Sequence, residues 1–333
     1  MRANVLYSDP TPSVHDCVQS SRMTKRKPTL ENFAEHLTDA GRAEHTVAGY
    51  VQDLRVFARW FEQTNGQELA PDKLTSHDAR AYRARLLKQK AAAATINRQL
   101  AALRAYVAWA VENKWIEASP LSGIKQIEQQ KLAPKWLEKK EQTALLREAE
   151  RDVRAALTRP AKRLAIRNQA IVTVLLHTSL RVSELCDLEM GDLKITERKG
   201  TLRVRQGKGN KQRDIPLNAV ARAAFQDWLA VRASLPPRAA GRNKAVPNVF
   251  TGRDGKPLTP SGVERMLSHL ARRAGVEVTP HTLRHTFAKN LVNSGVSLEK
   301  VAALMGHSNL NTTSIYTIPS ALDLEHAVAQ IGE

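Results

Sequence analysis

The stretch from His281 to Tyr316 holds residue types that together could act on a phosphate ester. It reads H-T-L-R-H at 281–285, L-M-G-H at 304–307 and T-S-I-Y at 313–316. A tyrosine can attack a phosphodiester, an arginine can hold its oxygens, and a histidine can transfer protons. The composition of this stretch therefore favours phosphoryl chemistry, provided that the fold brings these side chains together.

Two cationic residues upstream could complete such a site, although each also fits a structural role. Arg181 could cap a helix or form an ion pair, and Lys208 lies in a glycine-flanked turn where lysines are usually solvated. Tyr316 could equally pack in a core, and His307, directly after Gly306, could belong to the C-terminal cap of a helix. A purely structural role is favoured for each residue taken alone, and only the combination of these residues weakens that interpretation.

A metal site is the main chemical alternative for the two histidines at 281 and 285. Thr282 replaces the glutamate of the zincin motif, and no cluster of cysteines or carboxylates supplies a third ligand. The two cysteines, Cys17 and Cys186, provide neither a disulfide framework nor a cysteine-based zinc site. The chain also lacks a phosphate-binding G-x-x-x-x-G-K-[ST] motif. We therefore expect no metal and no cofactor.

The chain is strongly basic, with a net charge of +18 over 333 residues, and both halves carry the excess. Charge spread over two folded halves suggests surfaces that face a polyanion, although charge alone leaves RNA, anionic membranes and a merely soluble basic protein open. No apolar run approaches the ~20 residues of a membrane span. Residues 1–27 lack the apolar core of a secretory signal and are predicted to form a flexible leader.

Apolar periodicity predicts two domains joined by a linker. Residues 28–123 are expected to form a helical domain, in which Thr29 caps the first helix and later helices begin near Thr46, Ser76 and Thr95. Residues 124–136 are mostly polar and are predicted to be the linker. Residues 137–333 are expected to form the second domain.

The second domain is predicted to combine helices with a small antiparallel β-sheet. Helices are expected at about 138–149 and 165–177, and a further helix near Ser183 and Glu184. Short strands are predicted at 193–196, 201–206 and 212–217, the last two joined by a hairpin at G-K-G-N-K. The segments 150–163 and 234–247 are interpreted as loop expansions. After Tyr316, apolar residues from Leu322 to Ile331 predict a short amphipathic helix.

Four motifs, in this order and spacing, resemble those of the tyrosine recombinase (phage integrase) family, and within it the bacterial Xer-like recombinases. They are T-S-L-R-V-S-E-L-C-D-L at 178–188, G-K-G-N-K-Q-R-D-I-P-L at 207–217, H-T-L-R-H-T-F-A at 281–288 and L-M-G-H-S-N-L-N-T-T-S-I-Y-T at 304–317. The resemblance spans the second half and extends more weakly over the first. It implies a helical core-binding domain followed by a mixed α/β catalytic domain, mainly α with a small antiparallel sheet.

The resemblance and the residue chemistry assign the same roles. Arg181, Arg284 and His307 would hold the nonbridging oxygens of a phosphodiester under attack. Tyr316 would be the nucleophile, His281 its proton acceptor and Lys208 the general acid for the leaving 5′ oxygen. Supporting roles are expected for two residues, Glu184 and His285. DNA contacts are suggested for four more: Arg98, Arg104, Lys211 and Arg213.

The function implied by the resemblance is site-specific DNA recombination through a 3′-phosphotyrosyl intermediate and a Holliday junction, without metal or ATP. The expected partner is a double-stranded recombination site, bound by a homo-tetramer on two duplexes that is a monomer or dimer when free. The resemblance implies that the C-terminal helix is donated to a neighbouring protomer; the alternative is docking on its own domain. We expect a bacterial cytoplasmic protein, nucleoid-associated when bound to DNA and without a membrane partner. It could serve a mobile element, and the sequence does not identify accessory proteins.

Two alternatives come from other functional classes. A type IB topoisomerase would use the same nicking chemistry to relax DNA as a monomer, and a DNA-binding regulator would carry a degenerate site. The sequence also departs from the family's pattern at Ser179, where glycine is common. A serine there would be strained if the backbone position required positive φ.

Overall fold

The structure is a computed structural model. It describes residues 28–128, 134–205, 212–232, 247–307, 309–319, 324–325 and 328–329. Two compact units divide the chain between residues 131 and 132. The described residues are mostly helical, with a small antiparallel sheet, which confirms the predicted fold class.

The first unit is built from amphipathic helices. They are α1 (Leu30–Asp39), α2 (Glu44–Asn65), α3 (Ser76–Lys88) and α4 (Ala93–Glu112). Thr29 caps α1 as predicted, through a 3.2 Å hydrogen bond from the backbone amide of Asn32. The cap of α3 is Thr75, one residue before the predicted Ser76, and it forms a reciprocal capping box with Asp78.

Aromatic side chains fill the core of the first unit. Phe33, Phe57 and Tyr82 are almost fully buried, and the Phe57 and Tyr82 rings meet edge to face with centroids 4.8 Å apart. Burial of such rings stabilises the unit by about 1.5–3 kcal/mol for each fully buried side chain. The helical stripes predicted from the sequence therefore face inward.

The second unit surrounds the long apolar helix α6. Its helices, in chain order, are α5 (Lys139–Ala155), α6 (Arg159–His177), α7 (Val182–Asp187), α8 (Ala219–Arg232), α9 (Pro260–Ala274), α10 (Pro280–Asn293) and α11 (Leu298–Met305). α6 packs against α5, α8 and α10, and Ile171, Val174 and Leu175 on it are completely buried. This helix therefore supports α10, one of the helices that carry residues of the predicted site.

The predicted three-stranded sheet is present and antiparallel, in the order β1 (Leu193–Ile195), β2 (Gly200–Val204) and β3 (Arg213–Pro216). Leu202 pairs with both Leu193 and Ile215, so these side chains share one face, where Leu202 and Ile215 are buried. The hairpin predicted between β2 and β3 lies at residues 206–211, outside the described residues.

One predicted loop expansion is wrong. Residues 150–155 continue α5, and α6 begins at Arg159 with Thr158 as its cap, which leaves only 156–158 between the helices. The first turn of α6 is exposed and polar, so it carries no apolar signal by which sequence periodicity could detect it. The other predicted expansion, 234–247, lies almost wholly outside the described residues.

Candidate active site

Arg181 and Glu184 meet at the start of α7. Arg181 is the N-cap residue, and its backbone amide donates to Glu184 Oε2 at 2.8 Å while its Nη1 donates to Oε1 at 2.6 Å. The Glu184 side chain is 5% exposed and that of Arg181 is 25% exposed. Glu184, predicted to have a supporting role, thus contacts both the backbone and the side chain of Arg181.

Arg213, at the start of β3, also forms an ion pair with the Glu184 carboxylate. Its Nη1 and Nη2 donate to Glu184 Oε1 and Oε2 at 3.0 and 2.7 Å. Burial alone would raise the pKa of Glu184, but the hydrogen bonds from Arg213 and Arg181 outweigh it and leave that pKa lowered. Glu184 is thus held as a buried carboxylate between two guanidinium groups.

Arg284 approaches from α10 and completes an arginine cluster, defined here as Arg181, Arg213 and Arg284. Arg284 is 4% exposed; its Nη1 donates to the carbonyl of Ser179 and its Nη2 to that of Met305, the latter at 2.5 Å. Burial, followed by the positive charge of Arg181, lowers its pKa to about 10. The cluster thus concentrates positive charge where an anion would be stabilised.

Ser179 fits this arrangement without backbone strain. It does not have positive φ; the described non-glycine residues that do are Lys90 and Lys114. Its side chain is buried and its Oγ donates to the carbonyl of Leu304, before the turn that carries His307. The serine therefore adds a hydrogen bond between the α6–α7 connection and α11, and the suspected strain is not found.

His307 follows Gly306, which ends α11 in the left-handed conformation at φ 64°. The imidazole lies between two partners: Nε2 is 3.5 Å from Arg284 Nη2, and Nδ1 is 2.9 Å from Thr313 Oγ1. Burial, then the charges of Arg284 and Arg181, lowers the pKa of His307 to about 4. His307 is therefore neutral near pH 7 and is placed beside the arginine cluster.

Tyr316 lies in a short 3₁₀ helix, Ser314–Thr317, and is only 1% exposed. Its ring packs with Ala288, Val301 and Met305, so α10 and α11 together form its pocket. The hydroxyl is 2.7 Å from His285 Nδ1. Burial raises the pKa of Tyr316 to about 12, against the opposing effect of Arg284. At neutral pH the hydroxyl is protonated and needs a proton acceptor before it can attack.

The histidine bonded to Tyr316 is His285, whereas the sequence suggested His281 as the proton acceptor. The two rings lie one helical turn apart on α10, with centroids separated by 6.4 Å, and His281 is exposed. Burial, followed by the influence of His281 and Arg284, lowers the pKa of His285 to about 4. Sequence spacing places both rings on one face but gives no sign of which reaches the phenol.

Lys289 ties the segment after Tyr316 to the start of the second unit. Its ammonium donates to the carbonyl of Ile318 at 3.1 Å and lies 5.0 Å from the centre of the Trp136 ring. Lys289 is 4% exposed. No sequence motif marked this residue, because its partners come from distant parts of the chain.

The remaining predicted residues lie elsewhere. Arg98 forms an ion pair with the buried carboxylate of Asp53, and Arg104 donates to the carbonyl of Ile124 at 2.6 Å, both within the first unit. These contacts give each arginine a structural role inside its own domain. Lys208 and Lys211 lie outside the described residues.

Within the described ranges, no three His, Cys, Asp or Glu side chains are arranged to hold a metal ion. Among the helices that the structure describes, none combines the length and hydropathy needed to cross a membrane.

Family models match both parts of the chain. The model of the phage integrase family matches residues 135–321, and that of the phage integrase N-terminal SAM-like domain matches 30–114. The tyrosine recombinase XerC of Bacillus pumilus is 32% identical over 298 residues, covering 89% of this chain and 93% of that protein. The XerC of Bacillus licheniformis is 33% identical with the same coverage.

Solved structures share the fold. The XerH site-specific recombinase bound to palindromic difH substrate superposes with a TM-score of 0.68, at 20% identity, over 92% of this chain and 85% of that one. The Tn1549 transposon integrase in complex with transposon right end DNA gives 0.66, at 21% identity, over 91% and 99%. The chain therefore belongs to the phage integrase family, the tyrosine recombinases, and is an enzyme of site-specific DNA recombination that cleaves and rejoins DNA.

Proposed function

We propose that Tyr316 attacks a phosphodiester of a duplex recombination site, forms a 3′-phosphotyrosyl bond and releases a 5′ hydroxyl. The observation that carries this proposal is the double role of α10. The same helix places Arg284 in the arginine cluster and His285 on the hydroxyl of Tyr316. A phosphate bound by the cluster would thus lie close to the nucleophile.

Arg181, Arg284 and His307 would stabilise the pentacoordinate phosphorus. Arg181 and Arg284 offer forked donors to the nonbridging oxygens, and neutral His307 can donate one further hydrogen bond from Nε2 when its Nδ1 accepts from Thr313. These groups are held by the backbone of Ser179 and Met305 and by Thr313, so little reorganisation accompanies the reaction. The energy of the phosphodiester is kept in the new bond to tyrosine.

Two proton transfers accompany cleavage. We assign His281 as the acceptor of the Tyr316 proton when DNA draws the hydroxyl towards phosphorus, and His285 as the group that orients the hydroxyl beforehand. Lys208 is assigned as the general acid that protonates the 5′ oxygen. In the reverse direction, a 5′ hydroxyl from a partner duplex attacks the phosphotyrosine and regenerates Tyr316. Exchange of one strand pair in this way yields a Holliday junction.

The assembly proposed for this reaction is a homo-tetramer on two duplexes, formed from free monomers or dimers. Residues 28–123 and 137–333, joined by the linker 124–136, would both contact DNA, and the segment after Tyr316 would dock on a neighbouring protomer. The recombination site supplies the DNA partner. As a bacterial DNA recombinase, the protein would act in the cytoplasm, on the nucleoid.

The two alternative functions are less well supported. The relatives are recombinases by name, and none of those reported above is a relaxing enzyme or a regulator. A non-catalytic regulator would also have no need for the buried arginine cluster beside a tyrosine bonded to histidine.

A suicide substrate, nicked near the cleavage position, tests the proposal by trapping a covalent protein–DNA adduct. We expect the wild type to form the adduct and Tyr316→Phe to bind the same DNA without forming it. Tyr106→Phe is a matched control, because Tyr106 is also buried and hydrogen-bonded but lies in the first unit. An adduct with Tyr316→Phe would show that the nucleophile is misassigned, and a wild type that forms none would refute the proposed reaction.

A further inference from the structure

We propose that Arg213 is a positioning residue: it occupies Glu184 so that Arg181 keeps its remaining donors for the scissile phosphate. This inference rests on the proposed function, in which Arg181 binds the phosphate. It differs from the sequence-based expectation that Arg213 itself contacts DNA.

The hydrogen bonds to Glu184 support these different roles for Arg213 and Arg181. In the described structure, Oε1 receives Nη1 of Arg181 and Nη1 of Arg213, and Oε2 receives the Arg181 amide and Nη2 of Arg213. Arg213 therefore spans both oxygens, whereas the Arg181 side chain touches one. Among the described residues, Nε and Nη2 of Arg181 have no hydrogen-bond partner, so these donors are available for an anion.

Exposure separates the two arginines further. The Arg181 side chain is 25% exposed and that of Arg213 is 11% exposed, while Glu184 between them is 5% exposed. Arg213 Nε is buried, and the described structure gives it no hydrogen-bond partner. Arg213 thus faces the interior, where its positive charge pairs with the Glu184 carboxylate and is not presented at the surface.

Loss of Arg213 would change the geometry of Arg181. Arginine and carboxylate prefer a paired, bidentate contact. With Arg213 removed, Glu184 would be left with space for a second bond from Arg181, which would turn its free donors inward. A displacement of about 1 Å at a catalytic group can slow a reaction by about 100-fold.

Arg213 also packs against the turn that carries His307. A Cβ built on Gly306 would lie 3.1 Å from Arg213 Cδ and 3.3 Å from its Nε and Nη1. Nη2 is also 3.5 Å from the carbonyl of Ser179, which accepts a hydrogen bond from Arg284. One side chain on β3 thus contacts the segments that place Arg181, Arg284 and His307.

The test compares cleavage of the nicked substrate with binding of the same DNA. For Arg213→Gln we expect the cleavage rate to fall about 10- to 100-fold, with Kd and its salt dependence unchanged. Arg213→Lys, which keeps the charge but loses the fork, should retain intermediate activity. Arg205→Gln is the matched control, since it removes another forked pair, with Asp192, outside the site.

A double variant separates positioning from general damage. If Arg213 acts through Glu184, Arg213→Gln combined with Glu184→Gln should cleave no more slowly than Glu184→Gln alone. Additive losses would overturn the inference, as would wild-type cleavage by Arg213→Gln. A weaker Kd with a salt slope reduced by about 0.9 would instead identify Arg213 as a phosphate contact. If Arg213→Gln is unfolded, Arg213→Lys decides by the same criteria, and wild-type adduct formation shows separately that the proposed function holds.

Discussion

Burial keeps the imidazoles of His285 and His307 uncharged near neutral pH, since it lowers both pKa values to about 4. In the unfolded chain a histidine titrates near pH 6.5. Between these values the unfolded state binds more protons than the folded state. The contribution of both residues to stability is therefore complete above about pH 6.5 and is lost as the pH falls towards 4.

Thermal unfolding at pH 7.5 and pH 5 checks this expectation. The wild type should lose several degrees of Tm, and the double variant His285→Gln/His307→Gln should lose less between the two pH values. His269→Gln, on the exposed face of α9, should behave like the wild type. An unchanged pH dependence in the double variant would show that these histidines are not the groups responsible.

Sequence alone identified the reactive residue types but not all their partners. The residue types between His281 and Tyr316 suggested phosphoryl chemistry, and Arg181 and Lys208 from upstream completed the predicted site. The contact between His285 and Tyr316 could not be predicted, because it depends on how the 3₁₀ helix Ser314–Thr317 packs on α10. Arg213 was visible as a basic residue, but its bond to Glu184 requires β3 to lie beside α7, which no local pattern specifies.

The turn after α11 depends on glycine at position 306, so substitution of Gly306 should disturb how α11 is joined to the segment that follows it. Gly306→Ala places a side chain at φ 64° and presses it against Arg213. Gly275 ends α9 at φ 67° with nothing near its missing Cβ, so Gly275→Ala shares the backbone strain without the contact. The left-handed backbone should cost each variant about 1–2 kcal/mol in unfolding free energy, and the contact with Arg213 should add to the cost for Gly306→Ala, as measured by denaturant titration.

Only one of these two glycine variants should affect DNA cleavage. Because Arg213 and His307 flank Gly306, we expect Gly306→Ala to slow adduct formation about 10-fold or more, while Gly275→Ala cleaves like the wild type. Equal rates for both variants would contradict a link between the turn and the arginine cluster.

Helices with apolar stripes, and the three strands, were predictable because burial imposes their periodicity. The ends of these helices and strands were less predictable from the sequence. The first turn of α6 points polar residues into solvent, so Arg159 and Lys162 looked like loop residues. Thr158 and Pro160 mark the true start, as cap and first-turn proline, and both signals are local. The apolar pattern thus defines the buried part of a helix, and capping chemistry defines its end.

The charge of the whole molecule should make DNA binding strongly salt-dependent. Counterion release predicts a linear fall of log affinity with log salt, about 10³-fold or more between 50 and 200 mM for six or more phosphate contacts. The number of contacts should be far below the 51 lysines and arginines of the chain, since several arginines form ion pairs with its own carboxylates. Titrations at several salt concentrations give the slope, and a flat line would exclude a phosphate-dominated interface.

The contacts of Lys289 with Trp136 and Ile318 should make the fluorescence of Trp136 depend on the position of the backbone that follows Tyr316. The Lys289 ammonium lies over the indole of Trp136 and is bonded to the backbone two residues beyond Tyr316. If that backbone moves, the positive charge above the indole moves with it, and the energy of the excited indole changes. Because the chain has five tryptophans, the part of the emission that is lost in Trp136→Phe should report whether Tyr316 is in this position, with no dye attached to the chain.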